Sequence, residues 1–439
     1  MHNLLKKVDE VPDIKAFGTI SSVLGLLAEC AGIEHIVSIG TRCRIIARSG
    51  KEIVAEVVGM RENKVMLMPF TDLEGVGVGC KVIIDKSEAN IFPHESWMGR
   101  VINAFAQPID DKGALIQGDQ AFPVKGNPPP AHQRHPVEGK IDLGVRAVNA
   151  FLTCCRGQRM GIFAGSGVGK SMLVSMLTRN SEAQVKVIGL IGERSREVHE
   201  FIHGYLGPEG MKQAVIVVAT SNESALMRKQ AAYMTMAVAE YFRDQGKEVL
   251  CLVDSITRFA MAQREIGLSA GEPPATKGYT PTVFVELPKL LERAGPGTDK
   301  GNITGLFSVL VEGDDHNEPI SDAVRGILDG HIVLDRVIAE RGRYPAINIL
   351  RSVSRTMPGC NSKEENDLVN RARKLLAVYE DMAEMIRLGA YRRGTNQEVD
   401  QAIFYNDKLE NFLRQQPGEK ATLEQCYEQL KQILSVKPA

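Results

Sequence analysis

The chain has 439 residues and a mass of 48.1 kDa, enough for about three domains and for a core that needs no disulfide staples. Its 53 basic and 54 acidic residues leave a formal charge of −1, which disfavours a strongly basic nucleic-acid surface and an acidic disordered solubiliser as properties of the whole chain. Hydrophobic residues at 44% and charged residues at 24% are a globular balance, and aromatics at 5% leave room only for a very local stacking platform.

The first residues, Met1 to Asp13, include acidic side chains and no long apolar stretch, so they are not a secretory signal. The longest apolar runs, such as Ala214–Ala219, are too short to span a bilayer. A soluble, cytoplasmic protein is expected. Residues 14–86 read as short strands: Arg42–Arg48, Lys51–Met60, Val65–Phe70 and Val82–Asp85, separated by turn residues at Ser49-Gly50, Arg61–Lys64 and Gly75–Gly79. Close turns between many short strands predict a small antiparallel barrel. Residues 107–139 are rich in Pro and Gly, with Pro128-Pro129-Pro130 at their centre, and read as a connection that wraps rather than packs.

From about 140 to 360, apolar runs alternate with helical segments: Met160–Phe163, Val185–Ile191, Ala214–Thr220, Val249–Val253 and Leu306–Val311. Runs apolar on both faces predict buried parallel strands in an α/β layer. One helix between them takes Ser221 as its N-cap, places Glu223 and Glu240 on its polar side and stops at Gly246. After 361 the strands cease. Leu368, Ala372, Leu375, Leu376, Tyr379, Met382 and Ile386 line one face of a long helix, and two more follow over about 397–415 and 421–435. The expected division is a barrel at 1–90, a linker and α/β domain at 91–360, and helices at 361–439. The eight cysteines form no C-x-x-C pair and are expected to be small buried hydrophobes in a reducing compartment.

The sharpest motif is Ala164-Gly165-Ser166-Gly167-Val168-Gly169-Lys170-Ser171, between the strand Met160–Phe163 and a helix opening at Met172. Glycines let successive backbone N–H groups curl around phosphate oxygens, and a helix N-terminus adds positive potential. Lys170 would reach the β- and γ-phosphates and Ser171 would ligate Mg²⁺. Ala164 stands where G-x-x-x-x-G-K-[ST] has its first glycine, which requires a negative φ there. A dinucleotide fingerprint fails, because its third glycine would fall at Lys170.

Val249–Val253 is an apolar run that ends in Asp254. A carboxylate there, at the same edge of the sheet as the phosphate loop, could hold Mg²⁺ through water. Hydrolysis also needs a group that orients water. Glu193 follows the strand Val185–Ile191 and reaches the same edge, with Glu197 and Glu200 as rivals on physical grounds alone.

Together the phosphate loop, Gly192-Glu193-Arg194, the Asp254 strand and Tyr344-Pro345-Ala346 resemble the catalytic subunits of rotary ATP synthases and their export-ATPase relatives, above all the flagellar ATPase of type III protein export. Asp254–Glu265, Gly271–Tyr279 and Asp314–Ile320 carry the same likeness. The resemblance implies an α/β RecA-like P-loop core with an N-terminal small β-barrel and a C-terminal helical domain. It also implies ATP as substrate with Mg²⁺, and nucleotide binding by Gly165, Ser166, Gly167, Val168, Gly169, Lys170 and Ser171. Glu193 takes the position of the water-activating glutamate, Arg194 that of a phosphate-contacting arginine, and Tyr344 that of the aromatic stacking on adenine. Arg355 matches the arginine finger that family members insert into a neighbour's site. One chain carrying both Glu193 and Arg355 implies a homohexameric ring.

The implied partners are a stator-like regulator, a stalk protein facing the loop 271–279, an export gate at the inner membrane and chaperone–substrate complexes, with no nucleic acid. Leu4, Leu5 and Val8 are candidates for the regulator contact. A nucleic-acid motor with the same ring fold is the rival reading. It would want exposed aromatics and basic residues on the barrel, whereas residues 14–86 hold only Phe17 and Phe70. A non-enzymatic binding subunit conflicts with Lys170, Glu193 and Asp254 occurring together. A virulence secretion ATPase is the nearer alternative.

Overall fold

The computed structural model describes residues 16–85, 89–315 and 317–437; Leu4, Leu5, Val8 and His316 lie outside them. Two compact units result. One comprises the chain up to Ala89 with Glu223–Met227 and Met261–Val283, and the other comprises Asn90–Asn222, Arg228–Ala260 and Phe284–Ala439.

In the first unit, β1 (Phe17–Leu24), β2 (Leu27–Ala31), β3 (Arg42–Ile46), β4 (Glu52–Arg61), β5 (Lys64–Pro69) and β6 (Lys81–Ile84) close into a barrel of order β1-β2-β5-β4-β3-β6. Alternation decides which side chains point inward: Cys43 and Ile45 on β3 are fully buried while Arg42, Arg44 and Ile46 are not, and Val65 and Leu67 on β5 are fully buried on either side of half-buried Met66. The β4–β5 hairpin turns at Glu62 and Asn63, both with positive φ, the conformation a two-residue turn requires. Gly18 brings β1 against β2, because a Cβ there would sit 2.4 Å from Cys30 Sγ.

The second unit begins with β7 (Asn90–Ile91), β8 (Val101–Ile102) and β9 (Phe122–Pro123), then β10 (Lys140–Ile141) and β11 (Cys154–Cys155). The strands that carry the site follow: β12 (Arg159–Ala164), β13 (Val185–Glu193), β14 (Ala214–Thr220), β15 (Glu248–Asp254), β16 (Gly295–Pro296), β17 (Asn302–Leu310), β18 (Gly330–Val333) and β19 (Val353–Ser354). The main sheet runs β19-β18-β12-β17-β15-β13-β14-β8, with β16 attached to β17. From β18 to β8 every neighbouring pair is parallel, so the strands end on one common edge. Every residue of β13 from Val185 to Gly192 is buried, as a strand covered on both faces demands.

The Pro/Gly-rich stretch wraps, but it is pinned at intervals. Trp97 donates from Nε1 to the Ile116 carbonyl at 2.7 Å, Phe122 packs edge-on against Tyr241 at 5.5 Å, and Arg134 donates to the Glu292 carbonyl at 2.7 Å. The helix Ala225–Asp244 departs from expectation at its start and along its side. Ser221 is tied by its N–H to the Glu193 carbonyl at 3.0 Å, and Ser224 caps instead, accepting from Met227 N–H at 3.2 Å. Glu240 is not on a polar face, because the helix is buried all round from Gln230 to Arg243. The carboxylate is paired with fully buried Arg293, whose Nε donates at 2.8 Å and whose Nη1 holds the Val124 carbonyl at 2.6 Å. Gly246, at φ +77°, closes the helix with bonds from Gly246 N–H to Arg243 and from Lys247 N–H to Phe242.

The helix Lys363–Arg387 opens on a capping box of Ser362 and Glu365, and Leu423–Ser435 on one of Thr422 and Gln425; Gln397–Leu413 lies between them, capped by Asn396. These helices share one core with the α/β layer: Phe151 meets Phe412 at 6.3 Å, and the Tyr427 and Thr153 hydroxyls are 2.7 Å apart. Six cysteines are unpaired and buried, but Cys155 and Cys360 are joined by a disulfide, contrary to the expectation of eight thiols. The fold sets their Cα atoms 6.6 Å apart, within bridging range, although 205 positions separate them in sequence.

Arg293→Met should leave Glu240 as an unpaired buried charge and cost on the order of 3–5 kcal/mol of stability. Denaturant unfolding would read this, and a loss below about 1 kcal/mol would mean that the pair is not what holds the helix.

Candidate active site

The parallel strands set the site. β12 ends at Ala164, β17 at Leu310, β15 at Asp254 and β13 at Glu193, so four neighbouring strands deliver the phosphate loop and two carboxylates to the same edge. A crevice beyond the carboxyl ends of such strands is where α/β sheets place ligands. Ala164 is not among the residues of positive φ, which satisfies the condition for an alanine at the start of the loop. Gly167 at +77° and Gly169 at +92° take left-handed conformations that a side chain would resist. Lys170 is the first residue of the helix Lys170–Asn180, and Val168 anchors the loop in the core.

Lys170 is the hub. Its ammonium contacts Asp254 Oδ1 and lies 3.6 Å from Glu193 Oε1. Burial works against the ammonium, but the Asp254 and Glu193 carboxylates outweigh it and raise its pKa above the usual lysine value. Ser308, on β17, donates to the same Asp254 oxygen at 2.5 Å. Burial pushes the Glu193 carboxyl up to about 7, with Lys170 pulling the other way and Asp254 and Glu197 adding to the rise. Glu193 Oε1 is buried and has no hydrogen-bond partner among the described residues. Ser171, Glu193, Glu197 and Asp254 line one small cavity of about 60 Å³.

The other glutamates are placed differently. Glu197 is about half exposed and 3.9 Å from Arg194, and Glu200 accepts from the Tyr205 hydroxyl at 3.2 Å. Of the three, Glu193 alone is within 4 Å of Lys170 among the described ion pairs.

Arg194 is not brought to Lys170; its side chain is 81% exposed. Tyr344 is half exposed and its ring lies over the loop, since a Cβ on Gly169 would be 3.3 Å from Cδ1 and Cε1. The Tyr344 carbonyl accepts from Gln415 N–H at 3.0 Å, and buried Gln415 ties this segment to the Gly144 carbonyl at 2.9 Å. Arg355 stands at the opposite edge of the sheet. It follows β19, which pairs antiparallel with β18, and its N–H bonds to the Asp329 carbonyl just before β18 begins. Its guanidinium is exposed and donates to the Leu328 and Arg325 carbonyls at 3.3 and 3.4 Å.

Sequence reasoning did not single out Ser308. A serine inside the apolar run Asn302–Leu310 was the available signal, because a polar group in a fully buried strand needs a partner.

Residues 18–84 match the ATP synthase alpha/beta family, beta-barrel domain; residues 144–354 match that family's nucleotide-binding domain; and residues 361–432 match the T3SS EscN ATPase C-terminal domain. The chain is 56% identical to a flagellum-specific ATP synthase of Caulobacter vibrioides over 99% of both chains. It is similar to the assembled ATPase EscN of the enteropathogenic E. coli type III secretion system, with a TM-score of 0.90 and 39% identity over 95% of this chain and 100% of that one. A second EscN structure, in complex with its central stalk EscO, gives 0.86 and 38% over the same shares.

Lys170→Met should leave Glu193 facing only Asp254 and Glu197, and move its protonation to a pH above about 7. Infrared titration against Glu193→Gln would measure it; an unchanged or lower midpoint would mean that Lys170 does not hold Glu193 down.

Proposed function

We propose that this chain, which belongs to the flagellum-specific ATP synthase family, is the Mg-ATP-hydrolysing motor of flagellar type III protein export, coupling hydrolysis to chaperone release and export of flagellar proteins. The observation that carries the reading is the convergence of Lys170, Asp254 and Glu193 on one strand edge beside a glycine loop. Identity of 56% to a flagellum-specific relative, against 39% to EscN, favours the flagellar over the virulence system. The nucleic-acid reading lacks its platform: of the barrel's two aromatics, Phe70 is buried, and only Phe17 is exposed, under Lys81.

Backbone N–H groups of Gly165 to Lys170 would cradle the β- and γ-phosphates, and Lys170 would exchange a carboxylate for phosphate oxygens. The oxygen donors at the site fit a hard divalent cation: the Ser171 hydroxyl and the Asp254 carboxylate line the same cavity. Bound there, Mg²⁺ would offset the charge of the phosphates. Glu193 would accept a proton from the attacking water, a role supported by its buried Oε1, which has no hydrogen-bond partner among the described residues. Tyr344 would stack on adenine and Arg194 would swing in from solvent to the phosphates.

Arg355 lies on the far edge from its own phosphate loop, which supports a role in a neighbour's site, where a cation would stabilise charge on the transferring group. The proposed assembly is a homohexameric ring, and the likeness to the assembled ATPase EscN supports an oligomer. A central stalk protein, a stator-like regulator, chaperone–substrate complexes and a membrane export gate are the proposed partners, with the chain peripheral to the inner membrane. No helix among the described residues is long and apolar enough to cross one.

Glu193→Gln should keep ATP binding and lose on the order of 10²–10⁴-fold in turnover; near-normal turnover would reassign the base. In the native chain kcat/KM should fall as pH drops below about 7, because protonated Glu193 cannot accept a proton, and this fall should vanish in Glu193→Gln. Arg355→Ala rings should be nearly inactive, and mixing them with Glu193→Gln chains should restore part of the activity. No recovery in co-assembled rings would remove the arginine from the neighbour's site.

A further inference from the structure

The phosphate-loop strand β12 has β17 on one side and β18 on the other, and each neighbour sends one side chain across the start of the loop. From β17 the chain passes through the turn Glu312–Asp314, where Gly313 and Asp314 take positive φ values of 62° and 57°. From β18, anchored by Leu334 N–H on the Phe163 carbonyl at 2.9 Å, it enters the short helix Arg336–Glu340. Arg336 Nε donates to Asp314 Oδ2 at 2.8 Å, and Arg336 Nη2 donates to the Ser166 carbonyl at 3.1 Å.

Two consequences follow from elementary geometry. A trans peptide points its C=O and the following N–H to opposite sides. With the Ser166 carbonyl held by Arg336, the Gly167 N–H points away from Arg336. The second concerns Gly165. It does not have a positive φ, so its lack of a side chain answers to space rather than to backbone conformation. A Cβ there would fall 2.2 Å from Asp314 Oδ1 and 3.1 Å from Arg336 Nη2.

We propose that Asp314 and Arg336 are positioning residues for ATP, a latch that aims the Gly167 N–H through the Ser166 carbonyl and that requires glycine at 165. The proposal rests on the reading of 164–171 as a nucleotide phosphate loop. The pair is about two-fifths exposed, so its contribution lies in orientation and not in global stability. A lysine cannot replace Arg336, since one ammonium lacks the planar fork that spans a carboxylate and a carbonyl.

The test is equilibrium binding of a fluorescent ATP analogue to the full chain, with thermal unfolding measured alongside. Arg336→Ala should bind roughly ten-fold more weakly, the scale of one hydrogen bond to a charged group, with an unchanged Tm and with kcat less affected than KM. Arg336→Lys should recover little. Asp314→Gly, which suits the positive φ at 314, should show a similar loss. Gly165→Ala should match it, and Gly165→Ala with Asp314→Gly should be no weaker than Asp314→Gly alone, because both changes break one contact. Wild-type affinity in both Arg336→Ala and Asp314→Gly would overturn the latch. So would full recovery by Arg336→Lys, or additive losses in the double variant. If the native chain bound no better than Lys170→Ala, the nucleotide reading itself would fail.

Discussion

One buried ammonium organises this molecule. Lys170 sits at the edge of a closely packed sheet with Asp254 in contact and Glu193 3.6 Å away, and the three side chains are each less than one-sixth exposed. A cation in that position keeps two carboxylates close without forcing both to protonate. The balance is uneven: Asp254 also receives the Ser308 hydroxyl, whereas Glu193 retains a buried oxygen with no hydrogen-bond partner among the described residues and a pKa pushed up to about 7. The two carboxylates are thus held differently around one cation.

The parallel sheet makes that cluster possible and also limits it. Strands that all end on one edge bring loop, Asp254 and Glu193 together without any long-range coincidence. The same topology carries Arg355 to the other edge, because β19 runs antiparallel to β18. Each chain therefore carries the Lys170 cluster and Arg355 on opposite edges of one sheet. Heterologous contact between such edges closes into a ring when the rotation per subunit allows it, which is the geometric basis for the assembly proposed above.

Rigid support surrounds the site. The helix Ala225–Asp244 is buried so completely along its C-terminal half that Glu240 must be matched by Arg293, and Arg293 in turn clamps the Pro/Gly-rich connection through the Val124 carbonyl. The C-terminal helices extend the same core, and their approach is fixed by polar ties such as Arg373 to the Ile349 and Ser352 carbonyls at 2.7 Å.

The sequence by itself determined the period of each element and the identity of the loop. Short runs between close turns marked the barrel strands, two-sided apolar runs marked the parallel sheet, and spacings of three and four marked the last helices, because turns and burial leave their trace along the chain. The glycines, Lys170 and Ser171 were legible because phosphate binding needs them consecutively. What the tertiary structure decided depends on residues far apart in sequence. Glu240 reads as a surface charge until Arg293 is seen beside it. Ser308 reads as a strand residue until Asp254 is. Ser224 and not Ser221 caps the helix, which starts at Ala225, while the Ser221 N–H is bonded to the Glu193 carbonyl. Arg336 belongs to no motif, and its meaning comes from two strands that flank a third. Cys155 and Cys360 meet only because the fold sets them 6.6 Å apart. Local periodicity is written in neighbouring residues; partnership between distant charges and thiols is set by the order of strands in the sheet and by the packing around it.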